Sequence, residues 1–424
     1  NQKTSDKSLV RFFNKRIILF QLKVLDELLA CRVFFLVCCE SNYLRVKFLF
    51  SSDNITQEFY ICSSKKEYSF FAKIYFTMSF KIKINRIRRS VMQSLTSGLG
   101  NSSNVNKGTI NPQQVKRVLI SRPNHRLGNL LLITPLVQEV QNLFPNATID
   151  VFIKGNLGPI VFENFTNVNQ IIRLPKKHFD ELGNYMKGWL KLKKNKYDLA
   201  INADKNSSSG RLSIQLVNAK FKCFGEQATD LSSQFSDYAH IAKYPVYDLR
   251  HFLASVGMNV SNTPIPNLLL QLSPEEVAKG KALLDAIVPA SKKTICLFTF
   301  ATGAKCYSVE WWAVFYERIL KEFPDYNVLE VLPVENVSQI HFAAPTYYSK
   351  DIREITAFFK STAVFVGADS GMMHLASAAQ LPVVGLFSVT KTDKYAPYGA
   401  KSVAINTNET TIDDWIQAIK DSLE

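Results

Sequence analysis

Several features are missing from this sequence, and each absence narrows the class of protein. No run of eighteen or more apolar residues is present, which argues against a transmembrane helix. Of the 7 cysteines, the three after residue 77, namely Cys223, Cys296 and Cys306, form no Cys-x-x-Cys pair and have no histidine at metal-ligand spacing, so we expect these three to be reduced structural thiols in a cytosolic protein. No Gly-x-Gly-x-x-Gly follows the first strand-like segment, which argues against a pyridine-dinucleotide dehydrogenase.

Acidic residues are missing from one segment of the chain, residues 78–115. The formal net charge is +15, and residues 78–115 hold 6 basic residues and no acidic one. Residues 116–424 are nearly balanced, with 33 basic and 29 acidic residues. A net charge of this size is typical of nucleic-acid-binding proteins, but its uneven distribution argues against a nucleic-acid partner. The length of 424 residues and the hydrophobic fraction of 46% indicate a globular protein of two to three domains.

The first 114 residues have a different character from the rest. Residues 1–77 contain no methionine, are rich in Phe, Lys, Ser, Tyr and Cys, and show no sustained helical or strand period. We expect a disordered, non-native or mistranslated leader there, and a genuine extra domain is the alternative. Residues 78–114 predict a basic amphipathic helix followed by a Ser-, Asn- and Gly-rich linker. Such a helix suits an anionic inner-leaflet surface, or it docks on its own domain.

The remainder predicts an α/β protein with two Rossmann-like halves that face a central cleft. Short apolar strands alternate with helical segments in residues 115–270, the predicted N-terminal domain, and again in residues 271–424, the predicted C-terminal domain. Ser273 and Glu276 form a capping-box pattern at the start of the second half, and Ile412–Leu423 predicts a closing helix. Ligands bind at the carboxyl ends of the strands in such folds.

One strand-to-helix segment carries the strongest candidate binding residues. The strand ending at Gly367 is followed by Asp369 or Ser370 as a helix cap, by Gly371 in the first turn, and by His374 one turn later. Unpaired N–H groups and the helix dipole favour a phosphate at such a terminus. The alternative is an ordinary N-cap with a hydrogen-bonded core histidine.

Further candidates follow other strands. Gly128 lies in the turn after the first strand, together with Arg122, His125 and Arg126, and permits close backbone approach to a substrate. Lys305 follows the strand at residues 294–299 and can neutralise a diphosphate, or it is a solvated loop charge. Another candidate is Glu335, which follows the strand at residues 328–332 and can bind ribose hydroxyls.

Two segments together resemble a known family, namely LISRPNHRLGNLLLITPLVQEVQNLFPNATIDVFI and VFVGADSGMMHLASAAQLPVVGLF. They are similar to glycosyltransferase family 9, the ADP-heptose:lipopolysaccharide heptosyltransferases, and the resemblance covers about residues 115–424. It implies a GT-B fold and an inverting, metal- and cofactor-free transfer of heptose or a similar sugar from a nucleotide sugar to a lipopolysaccharide core or related glycolipid. A protein of this kind is cytoplasmic, or peripheral on the inner face of the plasma membrane. The resemblance also implies that residues 115–270 form the acceptor domain and residues 271–424 the nucleotide-sugar domain. The donor-binding residues implied are Gly128, Lys305, Glu335, Asp369, Ser370, Gly371 and His374.

One position departs from the family pattern. The family usually has Arg-Leu-Gly-Asp, whose aspartate is the expected general base, whereas this chain has Asn129. An amide does not accept a proton at working pH. The base is then His125 or Asp204, or the reaction needs little base assistance, or the protein is a catalytically silent relative that binds nucleotide sugars or serves as a scaffold in surface-glycan assembly.

Overall fold

The computed structural model describes residues 33–40, 43–50, 56–62, 108–176, 181–225, 231–260, 263–399 and 401–424. The predicted amphipathic helix after Met78, and most of the predicted linker, lie outside these ranges. Within them, no helix is both long enough and apolar enough to cross a membrane.

The first compact unit of the chain contains a three-stranded antiparallel sheet. Its strands are β1 (Val33–Glu40), β2 (Tyr43–Phe50) and β3 (Thr56–Cys62), in the order β1-β2-β3. The register places Glu40 opposite Tyr43 and Tyr43 opposite Cys62. These strands belong to the segment that we expected to be a disordered, non-native leader. That expectation stays a prediction, because the other residues of 1–77 lie outside the described ranges.

The second unit begins with a doubly wound half built on a parallel sheet. Its five strands are β4 (Arg117–Arg122), β5 (Thr148–Lys154), β6 (Val168–Leu174), β7 (Lys196–Asn202) and β8 (Asn218–Cys223). Their order is β6-β5-β4-β7-β8. The helices are α1 (Leu127–Leu131), α2 (Thr134–Leu143), α3 (Gly158–Val161), α4 (Leu182–Lys194), α5 (Ser208–Leu216), α6 (Leu231–Gln234) and α7 (Tyr244–Ser255).

The second half repeats this pattern with six parallel strands. They are β9 (Thr294–Phe298), β10 (Asn327–Val331), β11 (Thr346–Tyr347), β12 (Val364–Ala368), β13 (Val383–Phe387) and β14 (Val403–Asn406). Their order is β11-β10-β9-β12-β13-β14, the strand order of a dinucleotide-binding sheet. The helices are α8 (Pro274–Asp285), α9 (Val309–Glu322), α10 (Ile352–Lys360), α11 (Gly371–Ala378), α12 (Thr392–Tyr395) and α13 (Ile412–Leu423).

The predicted α/β architecture with two Rossmann-like halves is therefore confirmed. The capping box of Ser273 and Glu276 forms as expected, and the closing helix has the predicted bounds. Three strands of the parallel sheets that the sequence did not indicate, β6, β11 and β14, lie at sheet edges and are partly exposed. Edge strands lack the continuous apolar run that marks a strand buried on both faces, which is why the pattern missed them.

The two halves share a hydrophobic core. The chain that joins them, around Leu268 and Leu270, is buried, and the Leu270 N–H donates to the carbonyl of Ala378 in α11 at 3.0 Å. Arg353 of α10 donates to the carbonyl of Ile160 in α3 at 3.0 Å, which joins the halves at another point. The base of the cleft is thus closed by packed side chains and hydrogen bonds.

Candidate functional site

The site lies where strand order reverses in each sheet. In the first half β4 has β5 on one side and β7 on the other, and in the second half β9 lies between β10 and β12. Loops that leave the carboxyl ends of such neighbouring strands run to opposite faces and leave a crevice between them. The candidates Asn129, Asp204, Lys305 and Asp369 all follow strands that border these two points.

In the second half, the structure brings Lys305 and Asp369 together. The Lys305 ammonium lies 3.2 Å from Asp369 Oδ2, and the Thr390 hydroxyl donates to the same oxygen at 2.6 Å. Asp369 is buried, whereas the Lys305 side chain keeps 29% of its surface exposed. Thr390 comes from the loop after β13, and no sequence signal pointed to it. The result is an ammonium group that is held in place beside the start of α11 while part of it stays accessible.

Ser370, rather than Asp369, caps α11. Its hydroxyl accepts the N–H of Met373 at 3.3 Å, while the N–H of Asp369 donates to the Leu386 carbonyl at 3.0 Å. The sequence left Asp369 and Ser370 as alternative caps, and the structure selects Ser370 because the Asp369 carboxylate contacts Lys305 instead. The first-turn N–H groups of an α-helix have no intrahelical acceptor, so this end of α11 suits an anion.

His374 joins the second half to the first. It is 5% exposed, its Nδ1 has no hydrogen-bond partner among the described residues, and burial lowers its pKa to about 4. A Cβ atom built on Gly128 would lie 2.9 Å from His374 Cδ2 and 3.6 Å from Gly371 Cα. The glycine therefore allows α1 to approach α11, and His374 is a neutral imidazole at this contact rather than a fully hydrogen-bonded core histidine.

In the first half, one buried arginine contacts two of the candidate residues. Arg122 Nη2 donates to Asn129 Oδ1 at 3.1 Å, and Arg122 Nη1 lies 3.0 Å from Asp204 Oδ2. The same Nη1 donates to the Ala203 carbonyl at 3.1 Å, and the Tyr244 hydroxyl lies 3.4 Å from Asp204 Oδ1. An arginine at the end of a buried strand was the sequence signal for this cluster, whereas nothing in the sequence pointed to Tyr244.

His125 and Glu335 lie apart from these two clusters. His125 packs on Gly155, and its pKa is lowered by burial and by the charges of Lys154 and Lys176. Glu335 is exposed in the turn after β10. Within the described ranges, no hydrogen bond or ion pair joins His125 to Asn129 or Asp204, or Glu335 to Lys305 or Asp369. Their proposed roles as base and ribose ligand stay predictions.

Three further features concern a pocket, the thiols and metal ions. An open pocket of about 410 Å³ lies beside Thr390, between the loop after β13 and the end of β14. Cys223, Cys296 and Cys306 form no disulfide, and Cys223 and Cys296 are buried whereas Cys306 is partly buried. In the part of the chain that the structure describes, no group of three His, Cys, Asp or Glu side chains is arranged to hold a metal ion.

Comparison with known proteins places this geometry in context. Residues 349–416, which include β12, α11 and Lys391, match the family model "Glycosyltransferase family 9 (heptosyltransferase)". Lipopolysaccharide heptosyltransferase 3 of Escherichia coli is 25% identical over 302 residues, which cover 64% of this chain and 83% of the relative.

Solved structures share the fold. The glycosyl transferase family 9 protein from Veillonella parvula DSM 2008 superposes with a TM-score of 0.59 at 16% identity and covers 75% of this chain and 99% of its own. The E. coli heptosyltransferase WaaC with ADP gives a TM-score of 0.51 at 13% identity and covers 72% of this chain and 99% of its own. The two doubly wound halves are those of the GT-B fold. Together, the match of residues 349–416 to the family model and the curated relatives show that this chain is similar to glycosyltransferase family 9.

Proposed function

We propose that the chain is an inverting glycosyltransferase that moves a heptose or similar sugar from ADP-heptose or another nucleotide sugar to a lipopolysaccharide core or related surface glycolipid. The observation that carries this proposal is the pairing of Lys305 with Asp369 at the start of α11, 3.2 Å apart. Relatives named lipopolysaccharide heptosyltransferase 3 support the sugar and the acceptor class, and a relative solved with ADP supports the nucleotide.

The donor diphosphate is proposed to bind between Lys305 and the first turn of α11. As the bond between the sugar and the diphosphate breaks, negative charge develops on the leaving phosphate. Lys305 and the N–H groups near Gly371 are fixed in place before the reaction, so they stabilise that charge without reorganisation. Glu335 is the proposed ribose ligand, and Gly128 and His374 shape the contact between the halves where the sugar would lie. Attack by the acceptor from the opposite side gives inversion.

The acceptor is a glycolipid in this proposal, so the enzyme would work at the cytoplasmic face of the inner membrane. The support is the basic segment at residues 78–114, which carries 6 basic residues and no acidic one. Polybasic segments are attracted to anionic lipid surfaces. The proposed localisation is therefore cytoplasmic with peripheral attachment to the membrane. Flotation of the full chain with vesicles that contain anionic lipid would test it, and equal binding to neutral vesicles would contradict it.

The second candidate function is a catalytically silent relative that binds nucleotide sugars or acts as a scaffold. The specific observation in its favour is Asn129, whose amide oxygen accepts from Arg122 and cannot take up a proton. Both functions use the same donor site, and they differ only in whether sugar is transferred.

One experiment separates the two candidates. The full chain is titrated with ADP-heptose, UDP-sugars and GDP-sugars, and is then assayed for nucleoside diphosphate release with and without a glycolipid acceptor that lacks its terminal heptose. Release that depends on the acceptor supports the transferase. Donor binding without release supports the silent relative, and no binding of any nucleotide sugar would refute the donor site itself.

A further inference from the structure

A carboxylate remains at the acceptor side of this site even though position 129 has none. Asn129 and Asp204 are held by adjacent nitrogen atoms of one guanidinium, that of Arg122, at 3.1 and 3.0 Å. The Arg122 side chain is 2% exposed, so breaking its contact with the carboxylate would leave a buried charge without a partner. The carboxylate missing from one side of Arg122 is thus present on the other side.

Asp204 is the acidic residue at this point that a substrate can reach. Its side chain is 22% exposed. By contrast, Asp248 is 5% exposed, accepts a hydrogen bond from Tyr238 at 2.5 Å, and has a pKa raised to about 6 by burial. Asp248 therefore lies in the interior of the first half, whereas Asp204 borders the cleft.

The partners of Asp204 fix its orientation and leave capacity for another hydrogen bond. Oδ2 faces Arg122, while Oδ1 accepts the N–H of Asn206 at 3.1 Å and lies 3.4 Å from the Tyr244 hydroxyl. Lys205 is a further charged neighbour within the described residues. Each carboxylate oxygen has two lone pairs, so a substrate hydroxyl can still donate to Asp204. His125, the other candidate base, packs on Gly155 instead.

We propose that Asp204 is the general base of the transfer reaction, in place of the aspartate that position 129 lacks. This inference rests on the proposed function. The acceptor hydroxyl donates its proton to the Asp204 carboxylate as its oxygen forms a bond to the anomeric carbon. The bond from that carbon to the diphosphate oxygen breaks, and the nucleoside diphosphate leaves with the electron pair. Asp204 ends protonated and releases the proton to water after product departure.

The test exchanges the two side chains across Arg122. The full chain is prepared as wild type, Asp204→Asn, Asn129→Asp and the double variant Asn129→Asp with Asp204→Asn. Asp237→Asn serves as the matched control, because Asp237 also accepts from a cation, Lys243 at 2.8 Å, and from a tyrosine hydroxyl, Tyr247 at 2.8 Å. For each protein, the donor Kd is measured by calorimetry and kcat by acceptor-dependent release of nucleoside diphosphate.

Asp204→Asn is expected to lower kcat by about 100-fold or more, the usual contribution of a general base, with donor Kd within about twofold of wild type. The double variant is expected to recover most of the lost kcat, since it places a carboxylate on the other side of the same guanidinium. Asp237→Asn should match wild type.

Contrary outcomes distinguish this inference from the proposed function. A wild type that turns over while Asp204→Asn keeps its kcat within about threefold overturns the role of Asp204 and leaves the transferase intact. If the double variant is no more active than Asp204→Asn, this result also contradicts the proposal that a carboxylate on either side of Arg122 can act as the base. A wild type that binds donor but transfers no sugar refutes the proposed function, and the inference falls with it.

Discussion

Replacing Lys305 by alanine removes the ammonium group that lies 3.2 Å from Asp369 at the start of α11. The Lys305 side chain is 29% exposed there. A hydrogen bond to a charged group is worth about 1.5–3 kcal/mol, and 1.4 kcal/mol corresponds to a tenfold change in affinity. We therefore expect Lys305→Ala to weaken nucleotide-sugar binding by roughly 10- to 100-fold. Among the described residues, the buried Asp369 carboxylate then keeps only Thr390 as a side-chain partner, and it repels the diphosphate, which favours the upper end of that range.

Calorimetric titration of the full chain with the nucleotide sugar that binds wild type measures this effect. The matched control is Lys279→Ala, because Lys279 also pairs with a carboxylate of the same half, Glu354 at 2.7 Å, but is 63% exposed. Exposed ion pairs contribute about 0–1 kcal/mol, and Lys279 belongs to α8 rather than to the site, so its loss should leave donor Kd within about twofold. Equal Kd values for Lys305→Ala and wild type would refute the assignment of Lys305 to the diphosphate.

Three further predictions concern packing, a buried ion pair and pH. Gly128→Ala places a Cβ 2.9 Å from His374 Cδ2, so it should destabilise the fold by about 1–3 kcal/mol and weaken donor binding. The control Gly183→Ala, whose Cβ would meet no atom within 4 Å, should do neither. Equal unfolding free energies for the two variants in denaturant titrations would contradict this prediction. Glu139→Ala leaves Arg250 buried without the carboxylate that it contacts at 2.7 and 2.9 Å. The free energy of unfolding, measured by urea titration, should therefore fall by about 3–5 kcal/mol. A loss of less than about 1 kcal/mol would contradict this prediction. Burial lowers the pKa of His374 from 6.5 to about 4, so its neutral form stabilises the fold above pH 6.5, and this contribution is lost as the pH falls towards 4. The difference in unfolding free energy between wild type and His374→Gln should therefore shrink between pH 6.5 and pH 4. A difference that stays constant over this pH range would contradict the prediction.

Local signals predicted most of the chain between residues 115 and 424. The strands buried on both faces are continuous apolar runs, and the structure confirms the predicted ends of β9, β10 and β12 to within one residue. Helix starts were equally predictable where a side chain caps the first turn, as Ser273 does for α8. These features depend on residues close together in sequence, so the sequence alone indicates them.

Edge strands and interior helices were less visible. The edge strand β6 alternates exposed and buried residues irregularly, and the helix α7 buries nine of its 12 residues, so neither shows a clear amphipathic period. The importance of Tyr244 in α7 followed from neither pattern nor motif, because its contact with Asp204 joins residues 40 positions apart. Such contacts exist only after the helix has packed on the sheet.

The sequence by itself determined that polar candidate residues follow buried strands and that either Asp369 or Ser370 caps the helix after β12. Only the tertiary structure decided which of them meet. The order β6-β5-β4-β7-β8 puts β7 beside β4, so Asp204 reaches Arg122 and Asn129, while His125 packs on Gly155 at the end of β5 on the other side. Strand order depends on how crossover helices pack on the two faces of a sheet, and that packing energy is spread over residues far apart in the chain.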